Sequence, residues 1–414
     1  MYKRQYFSMS QQRKAKQIFD PIHGFIQLSP LMQEIMYTWE FARLYDLHQL
    51  GAAYYVYPSA VHKRSEHSLG VSHLAGIMAN ALCTSEFINI QTKLEEKSGY
   101  WMKRERFVEL CCIAGLVHDI GHGPYSHLYD HHVKPHDEPE HEERGIAILT
   151  EMVPKYKLPI TEDELTILKL MIVPPESDLK YLWYYQIVAN KVCDIDVDKI
   201  DYIQRDCFHT GLGFGGEWSR LLTMCKVRQC PRRNLDTIVW PAKLQDEIFQ
   251  LFAARYRLHK HVCTHHTVKA YEYLIVEILK AARSKIENFM DLTDSIVTCR
   301  LHSEFRDIQE KIARKKIPVL VGEKRIDESR DDDCTYPRRV LELIIDKFTI
   351  GLSNNDENPL MNVPYEAWDG KIFSLDAKDM RLCQPTEHKE TILRMYTLLP
   401  EKIDEAREDW TKHW

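Results

Sequence analysis

The chain has 414 residues, enough for one large domain or two ordinary ones. Apolar residues make up 44 % and charged residues 28 %, so a sizeable core under an ordinary polar surface is expected. With 55 basic and 61 acidic side chains the formal charge is −6, which carries no global nucleic-acid signature; any anionic ligand needs a local basic pocket. The 11 cysteines lack the spacing of a disulfide framework or a zinc ribbon, and free thiols in that number suit the reducing cytosol or nucleus. No run of about 18 apolar residues is present, so no membrane partner is expected. The start, Met1-Tyr-Lys-Arg-Gln-Tyr-Phe7, has no hydrophobic signal core.

In chain order, residues 1–17 read as a flexible lead. Residues 18–29 alternate and contain Pro and Gly, which predicts a short hairpin. From Pro30 the pattern turns helical, with Leu31, Ile35, Met36, Trp39, Leu44 and Leu47 at helical spacing. Ser65 to Leu82 predicts another helix, and Phe107 to Ile120 a third, stopped by Gly121, Gly123 and Pro124. Helical patterns continue over Glu142 to Met152, Glu162 to Ile172, Tyr184 to Val192 and Val197 to Cys207. One long helix is expected from about Ala242 to Lys285, an interval without Gly or Pro, and its apolar stripe at 245–258 reads as core. Beyond about 289 the pattern changes. Lys316 to Gly322, Val340 to Phe348 and Lys371 to Leu375 read as strands around a Pro/Asn-rich loop at 353–364. Residues 388–412 read as a closing helix. The expected architecture is mainly α: a helical bundle over 18–288 with a smaller C-terminal α+β lobe over 289–414.

Seven of the 20 histidines fall between His118 and His141. The stretch Leu116-Val-His118-Asp119-Ile-Gly-His122-Gly-Pro-Tyr-Ser-His127-Leu-Tyr-Asp130 follows a buried helical run. A helix that ends in adjacent His and Asp can present both to one metal ion. With His67 at one helix start and Asp198 at another, four residues form a candidate ligand set: His67, His118, Asp119 and Asp198. Imidazole and carboxylate donors suit Fe, Mn, Zn or Co, or Mg where oxygen dominates.

This pattern of His, His-Asp and Asp resembles the HD superfamily of metal-dependent phosphohydrolases, an all-helical fold. Asp20-Pro-Ile-His-Gly24, Gln49-Leu-Gly51, Tyr54-Tyr-Val-Tyr-Pro58 and Arg64-Ser-Glu-His-Ser-Leu-Gly-Val71 narrow the resemblance. So do His118 to His127, His141-Glu142 and Ile195-Asp-Val-Asp-Lys-Ile-Asp-Tyr-Ile-Gln-Arg-Asp206. Together they are similar to the deoxynucleoside triphosphate triphosphohydrolase branch, from about Ile18 to the C-terminus. No counterpart of the sterile-alpha-motif domain carried by vertebrate members is expected.

The resemblance implies cleavage between the 5′ oxygen and the α-phosphorus, giving deoxynucleoside and inorganic triphosphate. It implies a divalent transition metal (Fe, Zn or Mn) on His67, His118, Asp119 and Asp198, and Mg with the substrate triphosphate. His127 is the candidate general acid, with Asp130 to orient it and raise its pKa; His122 and His141 are expected to contact phosphate. Arg64 and Lys199 are expected on the triphosphate. Gln49, Leu50, Tyr202 and Asp206 match positions around the sugar and phosphates, and Arg255, His259 and His265 match positions near phosphates and base. Cys263 departs from the branch, which carries a tyrosine against the sugar; a thiol leaves room for a 2′-hydroxyl. Close relatives also bind activating nucleotides at subunit contacts and form tetramers. Here Lys16 and Lys243 are kept, but Phe19, Tyr37, Ala42, Tyr45 and Pro241 replace polar or charged residues. Aromatic groups cannot replace an Arg or Asp pairing with a nucleotide, which argues against GTP activation while leaving a homo-oligomer, dimer or tetramer, expected.

Blander readings stand beside these. His23, His48, His62 and His73 read as surface or core-satisfying groups, and His131, His132 and His136 as a solvated loop. The Arg228 to Arg233 cluster reads as a solvated turn, and Arg325 to Asp333 as an exposed mixed-charge loop. Two other functions compete: another HD-type phosphohydrolase (monophosphatase or phosphodiesterase), and a non-catalytic module binding nucleotide or single-stranded nucleic acid. Cytoplasmic or nuclear residence is expected in each case.

Overall fold

The computed structural model describes residues 14–90, 100–175, 182–231, 234–300, 303–326, 343–354, 356–376, 378 and 387–413. The chain opens on an antiparallel hairpin, β1 (Lys16–Asp20) and β2 (Gly24–Leu28). Asp20 closes its turn: Oδ1 accepts from the amides of Ile22 and His23, each at 2.9 Å, and Gly24 takes the left-handed conformation that follows (φ 72°). The expected hairpin is present, but β1 begins at Lys16, inside the stretch read as a lead; residues 1–13 lie outside the described ones.

The helical pattern from Pro30 is broken into α1 (Pro30–Met36), α2 (Trp39–Ala42) and a 3-10 turn at Arg43–Asp46. Ser29 caps the first, accepting from the Met32 amide at 3.2 Å. Thr38 starts a second cap on the Phe41 amide, so its hydroxyl resets the helix instead of continuing it. The bundle proper follows. It comprises α3 (Arg64–Leu82), the small hairpin β3 (Phe87–Ile90) and β4 (Tyr100–Lys103), α4 (Arg104–Val117), α5 (His127–His132), α6 (His141–Tyr156), α7 (Glu162–Ile172) and α8 (Val197–Thr210). Periodicity located α3, α4, α6, α7 and α8. Tyr184 to Val192, expected as a helix, holds a 3-10 turn at Trp183–Ile187, and His131 and His132 end α5 instead of lying on a loop.

Next come α9 (Ser219–Thr223), β5 (Lys226–Cys230) and β6 (Leu235–Pro241). Arg228 therefore lies on a strand, where it pairs with Glu366 at 2.8 Å. The expected long helix over 242–285 is two: α10 (Gln245–Leu258) and α11 (His266–Arg283), separated by a π turn at His259–Cys263. Thr264 Oγ1 donates to the His259 carbonyl at 2.9 Å, and His265 caps α11 by accepting from the Thr267 amide. A side-chain cap, not a Gly or Pro, makes the break.

The remainder contains α12 (Ser295–Thr298), α13 (Arg306–Ala313), β7 (Val319–Ile326), β8 (Leu343–Gly351), α14 (Pro359–Asn362), β9 (Tyr365–Glu366), β10 (Ile372–Phe373), β11 (Lys389–Thr397) and α15 (Ile403–His413). The closing segment is thus strand, then helix. Thr391-Ile-Leu-Arg-Met-Tyr-Thr397 is rich in β-branched and aromatic residues and forms the central strand of the sheet β7-β11-β8; α15 follows Pro400 and packs Ala406 against Val321, Leu343 and Met395. A second sheet, β10-β9-β6-β5, joins strands from either side of residue 289, and Leu360, Val363 and Tyr365 share one core with Leu74, Ile113 and Ile200.

Helices α3, α4 and α8 approach closely because glycines face the contacts. A Cβ on Gly115 would lie 3.0 Å from the Val71 backbone of α3. On Gly70 it would lie 1.8 Å from Asp201 Oδ1 and 2.4 Å from Arg205 Nη2 of α8. Gly70→Ala is expected to lower the free energy of unfolding by about 1–3 kcal/mol, the usual cost of overpacking. An unchanged denaturation midpoint would contradict the close α3–α8 contact.

Candidate metal and phosphate site

Four expected ligands converge from three helices. His67 lies one turn into α3, His118 and Asp119 follow the last residue of α4, and Asp198 lies in the first turn of α8, which Asp196 caps through the Lys199 amide at 2.9 Å. His67 Nε2 is 2.9 Å from Asp198 Oδ1 and 3.8 Å from Asp119 Oδ2. His118 Nε2 is 3.3 Å from Asp119 Oδ1 and 3.4 Å from Asp198 Oδ1, yet it is buried without a hydrogen bond. Donors bound to one transition ion at about 2.0–2.2 Å sit roughly 3–3.6 Å apart when adjacent, so these separations are close to those a divalent cation needs, and His67, His118 and Asp119 could hold one. The charges agree. Burial opposes ionisation of Asp119, but Arg64, His118 and His122 hold its pKa well below the usual carboxylate range.

A buried network behind the cluster orients it. His67 Nδ1 is 2.8 Å from Asp201 Oδ2, and His118 Nδ1 is 2.8 Å from the Gly115 carbonyl. Both bonds place a ring proton on Nδ1 and aim Nε2 at the cluster, where that of His67 meets Asp198. Asp201 also accepts from Arg205 Nε at 2.9 Å and Nη2 at 3.0 Å and meets His23 Nε2 at 2.6 Å; Arg205 Nη1 continues to Asp20 at 2.8 Å. Burial lowers the pKa of His67, and the hydrogen bonds it donates to Asp198 and Asp201 outweigh this, raising it to about 10, so a cation would have to displace the Nε2 proton. Sequence reasoning missed Asp201, Arg205 and Asp20 and read His23 as a space-filler. The signal was Asp198 and Asp201 three apart on one helix, with Arg205 four further on.

Arg64 lies beside the cluster, pairing through Nη1 with Asp119 and donating from Nε to Ser126 Oγ at 2.7 Å. Tyr125 and Ser126 both hold positive φ (55° and 57°), a strained turn that brings His127 over the site. Asp294, from beyond residue 289, accepts from the Tyr125 amide at 2.6 Å and from the His48 amide at 2.7 Å, pinning that turn. His127 stands open to solvent at the cleft surface. No hydrogen bond between His127 and Asp130 is seen among the described residues. Asp130 Oδ1 accepts from Arg144 and its Oδ2 faces His141 Nδ1 at 3.1 Å, away from His127. The pKa of His127 is lowered, not raised: desolvation leads, Arg64, His141 and His131 add repulsion and Asp130 opposes it, all of these weakened by the ring's exposure to solvent. The His122 and His141 rings stack at 3.9 Å.

The remaining expected residues are mostly engaged with internal partners. Lys199 Nζ pairs with Asp194 at 2.6 Å, Asp206 with His62 at 2.7 Å, and Arg255 with the Gly351 carbonyl and Asn354 Oδ1, each at 2.7 Å. Tyr202 is buried enough to raise its pKa to about 12. Gln49 Oε1 is buried without a hydrogen bond, and Leu50 packs against the core. His259, on the π turn, lies within the fields of Arg255, His127 and Lys199, which with burial keep it neutral. Cys263 ends the same turn, while His265 is spent as the α11 cap. Of the altered activator positions, Phe19, Tyr37 and Tyr45 are exposed, and Lys16 reaches the Tyr37 hydroxyl at 3.5 Å. No helix among the described residues is long and apolar enough to cross a membrane.

Comparison with known proteins agrees with the helical core. The HD domain family matches residues 64–206, the interval that carries all four candidate ligands. An HD domain implies a divalent metal, and the His and Asp donors here suit one. The deoxynucleoside triphosphate triphosphohydrolase SAMHD1 of Bos taurus is 30 % identical over 96 % of this chain and 78 % of its own length. The human protein of that name is 30 % identical over 92 % and 70 %. A SAMHD1 homolog from Dictyostelium discoideum is 27 % identical over 97 % and 81 %. The chain belongs to the SAMHD1 family of HD-domain proteins.

Replacing the partner behind a metal-bound imidazole typically costs 10–100-fold in affinity. Asp201→Asn is therefore expected to weaken divalent-metal binding by about that factor while far-ultraviolet circular dichroism stays unchanged. Wild-type affinity in that variant would remove Asp201 from the account.

Proposed function

We propose that this protein hydrolyses deoxynucleoside triphosphates to deoxynucleoside and inorganic triphosphate, with a divalent transition metal on His67, His118, Asp119 and Asp198. The observation that carries the reading is the convergence of those four donors beside Arg64 and His127 in a member of the SAMHD1 family. When bound, the ion supplies positive charge against phosphate oxygens and acidifies nearby water. Fe, Zn and Mn suit the donor set equally, and Mg accompanies the triphosphate.

The chain's own residues supply the rest. Arg64 is fixed by Ser126 and Asp119, so its guanidinium is oriented before substrate arrives and can neutralise charge that builds on the phosphates. Lys199 and Arg255 add cations from α8 and α10, and His122 and His141 line the phosphate side. Gln49, Leu50, Tyr202, Asp206, His259 and His265 enclose sugar and base. Attack of water on the α-phosphorus forms one P–O bond and breaks the bond to the 5′ oxygen; His127 gives that oxygen its proton. In the free protein His127 is neutral, held so partly by Arg64. A triphosphate seated on Arg64 cancels that repulsion and draws a proton onto His127, so substrate binding charges the acid.

The protein is proposed to act in the cytoplasm or nucleus as a homo-oligomer, dimer or tetramer. Cys263 leaves space beside the sugar, so ribonucleoside triphosphates are substrates too, and Cys263→Tyr should suppress their hydrolysis relative to deoxynucleotides.

Product analysis on metal-loaded protein, with and without GTP, tests the reaction. Inorganic triphosphate supports it; monophosphate, or no turnover, points to the competing functions. His127→Ala should reduce turnover by about 10²–10⁴-fold with metal content intact; a wild-type rate removes the acid role. Calorimetry near pH 7 in buffers of different ionisation enthalpy should show proton uptake on binding a non-hydrolysable triphosphate, lost in His127→Gln. The sign follows from a lowered pKa rising on binding; proton release would refute it.

A further inference from the structure

Lys63, His48 and Asp294 form a chain of hydrogen bonds beside the turn that carries His127. Lys63 Nζ is 2.9 Å from His48 Nε2, and His48 Nδ1 is 2.7 Å from Asp294 Oδ2. The proton positions follow from the partners. An ammonium only donates and a carboxylate only accepts, so His48 accepts at Nε2 and donates from Nδ1. The imidazole is thereby neutral and fixed in one tautomer, because a proton on Nε2 would meet the ammonium head-on. Tyr54 stacks on the ring at 4.8 Å, and its hydroxyl lies 3.3 Å from that of Tyr125, so the ring is held from its face as well.

Both oxygens of Asp294 are committed. Oδ2 accepts from the His48 amide at 2.7 Å as well as from its ring, and Oδ1 accepts from the Tyr125 amide at 2.6 Å. The carboxylate is 2 % exposed, so its charge needs compensation, which Lys63 supplies through the imidazole and Arg43 from nearby. Tyr125 and Ser126 are non-glycine residues at positive φ, and each costs about 1–3 kcal/mol unless its surroundings impose it. The bond from the Tyr125 amide to Asp294 imposes it, and so sets where α5 starts, with His127 as its first residue. The His48 end holds the other side of the same site. The Gln49 amide donates to the His62 carbonyl at 3.0 Å and the Arg64 amide to that of Leu47 at 2.9 Å, which places Gln49 and Arg64 on paired backbone. Thr293 Oγ1, at 2.6 Å from Asp46 Oδ2, ties the segment of Asp294 to the bundle.

We infer that Lys63, His48 and Asp294 are a positioning relay for the acid: Lys63 fixes the tautomer of His48, His48 directs Asp294, and Asp294 holds the strained turn that presents His127. The relay rests on the proposed function for the group that it positions, not for its own hydrogen bonds. Its chemistry explains the residue types. An asparagine at 294 would offer one oxygen and one NH2, and the NH2 would face either the Tyr125 amide or the two His48 donors. Without the Lys63 ammonium, His48 is free to carry its proton on Nε2, which turns the Nδ1 lone pair toward the carboxylate and repels it. The segment beyond residue 289 thereby takes part in the reaction, since Asp294 comes from it while His127 belongs to the matched HD interval.

Spectroscopy and kinetics test the relay together. Long-range nitrogen–proton spectra of protein carrying nitrogen-15 histidine, with the His48 signals assigned by their loss in His48→Gln, read the tautomer. The wild type and Lys63→Arg should show an Nδ1–H imidazole at neutral pH, and Lys63→Met a shift toward Nε2–H. Asp294→Asn and Lys63→Met should lower kcat by about 10–100-fold, the usual cost of a small misplacement. KM should change less and metal content not at all, because Arg64 keeps its Asp119 partner. Lys63→Arg, which keeps a donor, should recover most of the rate. In a His127→Ala background the loss from Asp294→Asn should vanish, since nothing is left to position. Lys63→Met, which keeps an unbranched apolar stem, covers the case in which Asp294→Asn does not fold, judged by circular dichroism. An Nε2–H or doubly protonated His48 in the wild type, losses that add in the double variant, or a raised KM with kcat unchanged would each overturn the relay. The two readings fail separately: a wild type that releases no triphosphate sinks the reaction whatever the tautomer, and triphosphate release with the wrong tautomer or with additive losses sinks the relay.

Discussion

Asp201 is fully buried and charged, and a charge taken out of water persists only where cations and donors surround it. Arg205 grips it through two nitrogens, His23 meets one oxygen and His67 the other. Those partners come from the same helix, the N-terminal hairpin and α3. The carboxylate therefore fixes three things together: the angle at which α8 crosses α3, the position of the hairpin turn, and the direction in which His67 offers Nε2. Gly70 follows from the same constraint, since a side chain there would occupy the carboxylate's place. The candidate donor cluster is held in place because this buried charge leaves its neighbours few alternatives, which is the support a proposed metal site needs.

Much of this was legible in the sequence, for identifiable reasons. Amphipathic helices announce themselves by spacing, so α3, α4 and α8 were readable, and the four candidate ligands sit at or near their ends, where a helix terminus and a chemical residue coincide. The break in the expected helix over 242–285 was not readable. Thr264 and His265 end it with side-chain hydrogen bonds, and those residues are tolerated inside helices as well. Strand β11 was hidden similarly: its residues also fit a helical face, and only pairing with β7 and β8, distant in sequence, decides for the strand. The partner of Asp130 was unreadable for the same reason. Proximity along α5 suggests His127, but Arg144 arrives from α6 and takes the carboxylate. Local spacing predicts what a residue can reach; competition among long-range partners decides what it does reach.

The cations expected to bind triphosphate are all engaged at rest. Arg64 is on Asp119, Lys199 on Asp194, and Arg255 on Gly351 and Asn354. An anionic ligand must therefore exchange partners with the protein, and binding returns only the difference between the new and old interactions. This explains how a chain of net negative charge can host an anion site. Arg64 and Lys199 are shielded by acidic partners and Arg255 by neutral oxygens, so the surface need carry no strong positive field.

The exchange also discriminates. Under the proposed function, a triphosphate could satisfy Arg64 and Lys199 together, whereas a monophosphate offers one cluster of oxygens for the same cations. The loop at 352–354 enters the same balance. Arg255 is held by Gly351 at the end of β8 and by Asn354 just beyond it, so releasing that arginine loosens a segment that packs on the shared core through Leu352. Ligand charge at the cleft is thereby connected to the order of the smaller sheet, through a guanidinium that cannot serve both partners fully at once.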